Sequence, residues 1–194
     1  MKWYKYDINN LSEKDYEYYY SLMSEDKKKR VENFRFENDK KRTVAGEMLS
    51  RKAIAEHLSI DESSIVFSKC ENGKPYAKEL DIEFSISHSG EIVVCAISDK
   101  PIGIDVEKIR PINLRVAKRI CDEKEFLYIF SHKPDETDFS YTEDEGILTR
   151  FFELWTKKEA YAKCSGKGLS AGLCFTPKID SIVEDGYVVS IYKE

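Results

Sequence analysis

Hydrophobic positions change their spacing along the chain, and each change marks an element. Residues 1–8, with Trp3, Tyr4, Tyr6 and Ile8, predict a short strand. Ser12 is placed to cap a helix carrying Tyr16, Tyr19, Tyr20 and Met23, and Ser24 to cap a second one over Glu25–Phe34. Val44, Ala45, Met48, Leu49 and Ala53 recur at helical spacing inside a long helix from Asn38 to about Leu58. Ile65–Phe67 predicts a short strand, and Glu71-Asn72-Gly73-Lys74-Pro75 a loop. Ile82–Ser87 alternates, with Ile82, Phe84 and Ile86 on one face, and Glu91–Ser98 reads as a mostly buried strand.

After Pro101 the pattern resumes. Ile102-Gly103-Ile104-Asp105-Val106-Glu107 alternates, Leu114–Ile120 and Asp122–Phe130 predict helices, and Ser131–Glu145 predicts a polar, acidic, mobile loop. Arg150–Lys163 is a strongly amphipathic helix that stops near Gly166 and Gly168. Two strands around Asp185-Gly186 form a hairpin. Strands interleaved with helices and hairpin connections late in the chain predict an α+β fold rather than a doubly wound sheet, with a boundary near residue 100. No internal sequence repeat is strong enough to claim duplication from pattern alone.

Composition narrows the picture. At 194 residues the chain is one large domain or two small ones, long enough to bury a core without staples. Lys and Arg number 31 against 36 Asp and Glu, a net charge of −5, which argues against a nucleic-acid binder but leaves room for a local basic patch. The five cysteines, Cys70, Cys95, Cys121, Cys164 and Cys174, are odd in number and form no C-x-x-C pair, so neither a disulfide framework nor a zinc site is expected. There is no signal-peptide pattern and no apolar run near the roughly 18 residues of a membrane helix. The expectation is a reduced, cytoplasmic protein with no membrane partner.

Several positions carry chemistry. On a strand, Gly103, Asp105 and Glu107 share one face, with Ile102, Ile104 and Val106 on the other, and residues two apart sit roughly 6–7 Å apart. Two adjacent carboxylates repel unless a cation sits between them, and all-oxygen ligation suits Mg²⁺ or Mn²⁺. The ordinary alternative is a solvated strand face. Trp155, Glu159 and Lys163 line one helical face, where Glu159 could add a third carboxylate or act as a base and Lys163 could neutralise a phosphate; the alternative is an exposed Glu–Lys pair. Lys157 and Lys158 add positive charge nearby. Ser165-Gly166-Lys167-Gly168-Leu169 forms a tight turn that can meet a substrate. Phe84-Ser85-Ile86-Ser87-His88-Ser89-Gly90 ends a strand in a turn whose hydroxyl, imidazole and N–H groups could hold a phosphate. His57 and His132 fit plain structural roles better, and no nucleophile elbow supports a Ser-His hydrolase. The basic run with Lys27, Lys28, Lys29, Arg30, Arg35, Lys40, Lys41 and Arg42 is mixed with five acids; most of it reads as solvated helix face, from which a subset, with Lys74, could grip phosphates.

Taken in this order, Gly73-Lys74-Pro75, the Phe84–Gly90 segment, Gly103-Ile104-Asp105-Val106-Glu107 and Trp155-Thr156-Lys157-Lys158-Glu159-Ala160-Tyr161-Ala162-Lys163 with Gly166-Lys167-Gly168-Leu169 closely resemble the 4′-phosphopantetheinyl transferases of the surfactin-synthetase-activating type. The resemblance covers roughly residues 20–175. It implies a monomer of two similar α/β halves in pseudo-twofold arrangement, 1–100 for coenzyme A contacts and 101–194 for the metal strand and catalytic helix. It implies transfer of the phosphopantetheine arm of coenzyme A to a serine of an apo acyl or peptidyl carrier protein, with Mg²⁺ (Mn²⁺ possible) and release of adenosine 3′,5′-bisphosphate. Asp105, Glu107 and Glu159 would hold the metal, Glu159 would help deprotonate the serine, and Lys163 would stabilise or protonate the departing phosphate. His88, Lys27, Arg30 and Arg42 would contact the 3′-phosphate end, and Gly73, Lys74, Pro75 and Ser87 would complete the nucleotide site. It also implies that C-terminal elements of longer relatives are missing after Glu194, and that the acidic loop Pro134–Glu145 lies where the family meets its carrier. The competing readings are a metal-dependent nuclease or phosphatase using the same carboxylates and lysine, and a non-catalytic coenzyme A binding module.

Overall fold

The computed structural model describes residues 1–71, 73–166 and 176–194. The first half opens with strand β1 (Lys2–Asp7) and helices α1 (Glu13–Ser21), α2 (Glu25–Glu32) and α3 (Glu37–Leu58). Ser12 and Ser24 cap α1 and α2 through their side chains, as their positions predict. A small hairpin, β2 (Phe67–Lys69) and β3 (Pro75–Ala77), precedes β4 (Glu83–Ser89) and β5 (Ile92–Ser98). Strand β2 begins where the expected Ile65–Phe67 strand ends, because Ile65 is buried under α3 while Arg51 on that helix binds its carbonyl oxygen. The large strands form an antiparallel sheet in the order β1-β5-β4.

The second half repeats this plan. Strand β6 (Ile102–Lys108) is followed by β7 (Ile112–Asn113), helices α4 (Ala117–Ile120) and α5 (Glu123–Phe130), β8 (Tyr141–Thr142), the long helix α6 (Glu145–Ser165), and the hairpin β9 (Ser181–Glu184) and β10 (Tyr187–Lys193). The sheet order is β6-β10-β9. In both halves the first strand pairs with the last, the last pairs with the one before it, and a helix of about twenty residues lies between first and middle strands. This duplication in topology has no strong counterpart in the sequence. Asp185 and Gly186, both at positive φ, make the predicted hairpin turn.

Strand β5 is buried along its whole length because it has two apolar neighbours. Val93, Cys95 and Ile97 pack with Ala45, Leu49 and Ala53 of α3, whereas Ile92, Val94 and Ala96 join Ile102, Ile104 and Val106 of β6 in a core shared by both halves. The alternation predicted for β6 therefore holds.

Two expectations are corrected. Helix α6 starts at Glu145, five residues before the amphipathic stretch becomes obvious, because Asp144 caps it by accepting from the Ile147 amide at 2.8 Å. The Ser131–Glu145 segment is not the featureless loop its polarity suggests. Phe139 is buried against Phe126 and Phe130, and β8 pairs with β7. One aromatic side chain anchors a segment whose average composition is acidic.

Candidate active site

The site lies at the seam where β4, β6 and α6 meet. Gly103 makes that meeting possible. A Cβ placed there would lie 1.9 Å from the Ala160 carbonyl oxygen and 2.6 Å from the Cys164 nitrogen, both backbone atoms of α6. The room beside Asp105 that the glycine leaves is filled by the helix, and this brings Glu159 and Lys163 to the carboxylate face of β6. Lys163 Nζ donates to Asp105 Oδ1 at 2.7 Å and to Ser87 Oγ at 2.8 Å, and Ser87 Oγ donates to Asp105 Oδ1 at 2.7 Å. A buried strand carboxylate, a hydroxyl from the other half and a helix ammonium thus form one cluster. The distant sequence segments named for their chemistry are brought together here.

Glu159 is partly buried on the same side. Burial, and after it the negative charges of Asp105 and Glu107, push its pKa above the ordinary carboxylate value, with Lys163 opposing. Glu107 Oε2 accepts from Ser89 Oγ at 2.8 Å and from Arg110 at 3.2 Å. With Lys163 resting on Asp105, the carboxylates do not close on a common point: among the described residues no three His, Cys, Asp or Glu side chains are placed to hold an ion together. The donor set nevertheless fits a hard divalent cation. Asp105 Oδ2 is buried with no hydrogen-bond partner, the acidic side chains offer only hard oxygen donors, and burial followed by carboxylate repulsion raises the Glu159 pKa. Asp105, Glu107 and Glu159 are the residues that would hold it.

Glu159 and Lys163 also line an open cleft of about 270 Å³ together with Gly73, Lys74, Pro75 and Gly166. Gly73 at φ +83° turns the loop, and Lys74 reaches Glu83 at 3.3 Å and the Ile102 carbonyl at 3.4 Å, spanning the seam. Further along β4, His88 keeps solvent access, but partial burial and then the positive charges of Arg42, Lys163 and Arg30 push its pKa down. Arg42 pairs with Asp39 and donates to the Gly90 carbonyl at 2.6 Å, fixing the turn after His88. Arg30 is exposed, its guanidinium 5.5 Å from the Phe34 ring. This positive cluster is suited to a polyanion. The Lys27 ammonium donates at 2.6 Å to the buried Glu47, whose other oxygen takes Arg51 at 2.8 Å.

Lys158 requires a correction. It is 1% exposed and adds no charge to the cleft, because its ammonium donates to Glu125 Oε2 at 2.9 Å and to the Ile120 carbonyl at 2.6 Å. Adjacent residues on a helix point about 100° apart, so Lys158 faces the core while Glu159 faces the site. Lys167, Gly168 and Leu169 of the turn, Asn72 of the Gly-Lys-Pro loop, and Cys174 lie outside the described residues. The sequence reading did not assign Ser85 and Ser89. Ser85 Oγ accepts from the Ile104 amide and Ser89 Oγ from the Lys108 amide, each at 3.1 Å. The spacing Ser85-x-Ser87-x-Ser89 on a strand was the available signal.

Comparison with known proteins agrees with this geometry. Residues 10–100 match the family model described as 4′-phosphopantetheinyl transferase, N-terminal, and residues 101–190 match that of the 4′-phosphopantetheinyl transferase superfamily. The chain is 39% identical over 165 residues to the 4′-phosphopantetheinyl transferase Sfp of Bacillus subtilis (strain 168), covering 84% of this chain and 69% of that protein. It is 39% identical over 167 residues to psf-1 of Bacillus pumilus (85% and 66% covered) and 36% over 161 residues to gsp of Aneurinibacillus migulanus (83% and 63%). It therefore spans about two thirds of the length of these relatives. Among the described residues no helix is long and apolar enough to cross a membrane. A duplicated α+β plan, a cluster of carboxylates and a lysine at its seam, and a match to these proteins across both halves lead to one conclusion: the chain belongs to the 4′-phosphopantetheinyl transferase family and is an enzyme of that class.

Proposed function

We propose that this enzyme transfers the 4′-phosphopantetheine arm of coenzyme A to a serine of an apo acyl or peptidyl carrier protein, with a divalent cation, Mg²⁺ in the first instance, and leaves adenosine 3′,5′-bisphosphate. The observation that carries this reading is the seam cluster itself, with Asp105, Ser87 and Lys163 in mutual hydrogen bonds and Glu159 beside them. Residues 1–100 would hold coenzyme A and residues 101–194 would supply the metal strand and the catalytic helix. His88, Arg42 and Arg30 would take the 3′-phosphate end, where burial and then the neighbouring positive charges hold the histidine pKa down. Lys74, on the loop shaped by Gly73 and Pro75, would steady the nucleotide across the cleft.

Displacement at phosphorus asks the protein mainly for positioning and charge neutralisation. A cation bound by Asp105, Glu107 and Glu159 would polarise the diphosphate and offset its charge. Glu159, whose proton affinity is raised by burial and then by the charge of Asp105, would accept the proton of the incoming serine. Lys163 can donate from its ammonium to the departing phosphate oxygen without leaving Ser87, which orients it. Four free cysteines among the described residues support a reduced compartment, which we take to be the cytoplasm, and the enzyme would act there as a monomer. Incubation with coenzyme A, Mg²⁺ and a panel of apo carriers, read by intact mass, tests the proposal. The expected result is a gain of one phosphopantetheine that chelator abolishes; no gain on fatty-acid, polyketide or peptide-synthetase carriers would overturn it.

A further inference from the structure

We propose that Ser89 is a positioning residue for Glu107: a hydroxyl supplied by the first half sets the direction of a carboxylate that the second half offers to the divalent cation. The proposal rests on reading Asp105, Glu107 and Glu159 as the cation ligands. Strands β4 and β6 are edges of two different sheets. Each would leave backbone groups unpaired along the seam, and of three serines at alternate positions of β4, Ser85 and Ser89 accept from β6 amides while Ser87 bonds side chains. Ser85, Ser87 and Ser89 stand opposite Ala96, Val94 and Ile92 of β5, so all three hydroxyls share the face turned toward β6.

The direction of each hydrogen bond follows from the number of protons available. A hydroxyl donates once. Ser89 Oγ accepts from the Lys108 amide at 3.1 Å, so its own proton is directed to Glu107 Oε2, 2.8 Å away. At Ser87 the ammonium of Lys163 donates, so the hydroxyl proton is directed to Asp105 Oδ1. Ser85 accepts from the Ile104 amide at 3.1 Å and touches neither carboxylate. Of the two serines that hold a carboxylate, Ser89 alone is also fixed to the backbone of β6, at the residue next to the one it orients. Ser87 shares its lone pair with a long, flexible lysine. Arg110 reaches the same Glu107 oxygen at 3.2 Å from an exposed side chain and cannot match the rigidity of a short hydroxyl on a strand. Outer partners of this kind orient ligating carboxylates, and their removal weakens metal binding about 10–100-fold.

The test is direct titration of Mn²⁺ by electron paramagnetic resonance into the full chain with coenzyme A present, for wild type, Ser89→Ala, Ser89→Thr, Ser85→Ala and Glu107→Gln. The expected result is Mn²⁺ affinity about 10–100-fold weaker in S89A. Restoration to within about threefold in S89T, which keeps the hydroxyl, and affinity within about threefold of wild type in S85A, which loses the same kind of seam bond without touching a carboxylate, complete the expectation. If S89A does not fold, Ser89→Cys, nearly isosteric but a weak donor, takes its place with the same expectation. Wild-type affinity in S89A, or equal weakening in S85A, overturns the positioning role while leaving the cation site standing. Absence of Mn²⁺ binding in wild type, or no effect of E107Q, overturns the cation-site reading and the Ser89 proposal with it.

Discussion

His88 sits among cations with its pKa held below the ordinary value near 6.5. A depressed histidine pKa means that the unfolded chain binds the proton more readily, so this group costs stability as pH falls below about 6.5. An anion seated among His88, Arg42 and Arg30 reverses the sign. Proton NMR should show the His88 pKa below 6.5 in the free protein and rising on addition of coenzyme A or adenosine 3′,5′-bisphosphate; an unchanged value would place the phosphate elsewhere. Glu159 illustrates the opposite case. Its raised pKa means that the ionised form is disfavoured at neutral pH, and this cost is relieved as pH falls through the folded pKa. In metal-free buffer Glu159→Gln should melt no lower than wild type at pH 7.5, with any gain shrinking toward pH 4.5, while transfer activity falls at least about 100-fold. Activity and stability moving in opposite directions is the signature of a group placed for chemistry. Both residues were legible in the sequence because their types and spacing matched chemistry. Ser89 was not singled out, since a serine in a strand has no signature until the partner strand is known.

At the level of elements, periodicity located the helices and the longer strands; it missed the two- and three-residue strands β3, β7 and β8, too short to show a period, and it failed where a single contact outweighed the local pattern. Polar composition hid the pinning of the Ser131–Glu145 segment by Phe139, and a long-range ion pair hid the role of Lys158. That ion pair joins α6 to α5, and breaking one side leaves a buried charge. Lys158→Met should therefore lower stability by about 3–5 kcal/mol in denaturant titration. A loss under 1 kcal/mol would show that the Lys158–Glu125 contact does not hold α5 to α6. Helix α6 also depends on Gly103. A methyl group there meets backbone atoms that cannot rotate away, so Gly103→Ala should cost about 1–3 kcal/mol and separate Glu159 and Lys163 from Asp105. The predicted outcome is loss of transfer greater than the loss of coenzyme A binding. Gly103 shares its strand face with Asp105 and Glu107, and the space its missing side chain leaves is used by a helix backbone.

For the whole molecule, two similar sheets and two long helices meet along β4 and β6, and the chemistry lies on the seam. The overall plan was legible through the resemblance of motifs from both halves. The topological repeat was not legible from the residues, because its core positions are shared as a pattern of burial and not as identities. The central claim is that one site is assembled across the seam, with recognition of coenzyme A on the first half and phosphoryl transfer on the second. The most direct test is steady-state transfer to an apo carrier with coenzyme A varied, comparing His88→Ala with Asp105→Asn. The account predicts that His88→Ala raises KM for coenzyme A with little change in kcat, and that Asp105→Asn lowers kcat about 100-fold or more with KM nearly unchanged. The same mixed effect from both variants, or an active Asp105→Asn enzyme, would contradict it.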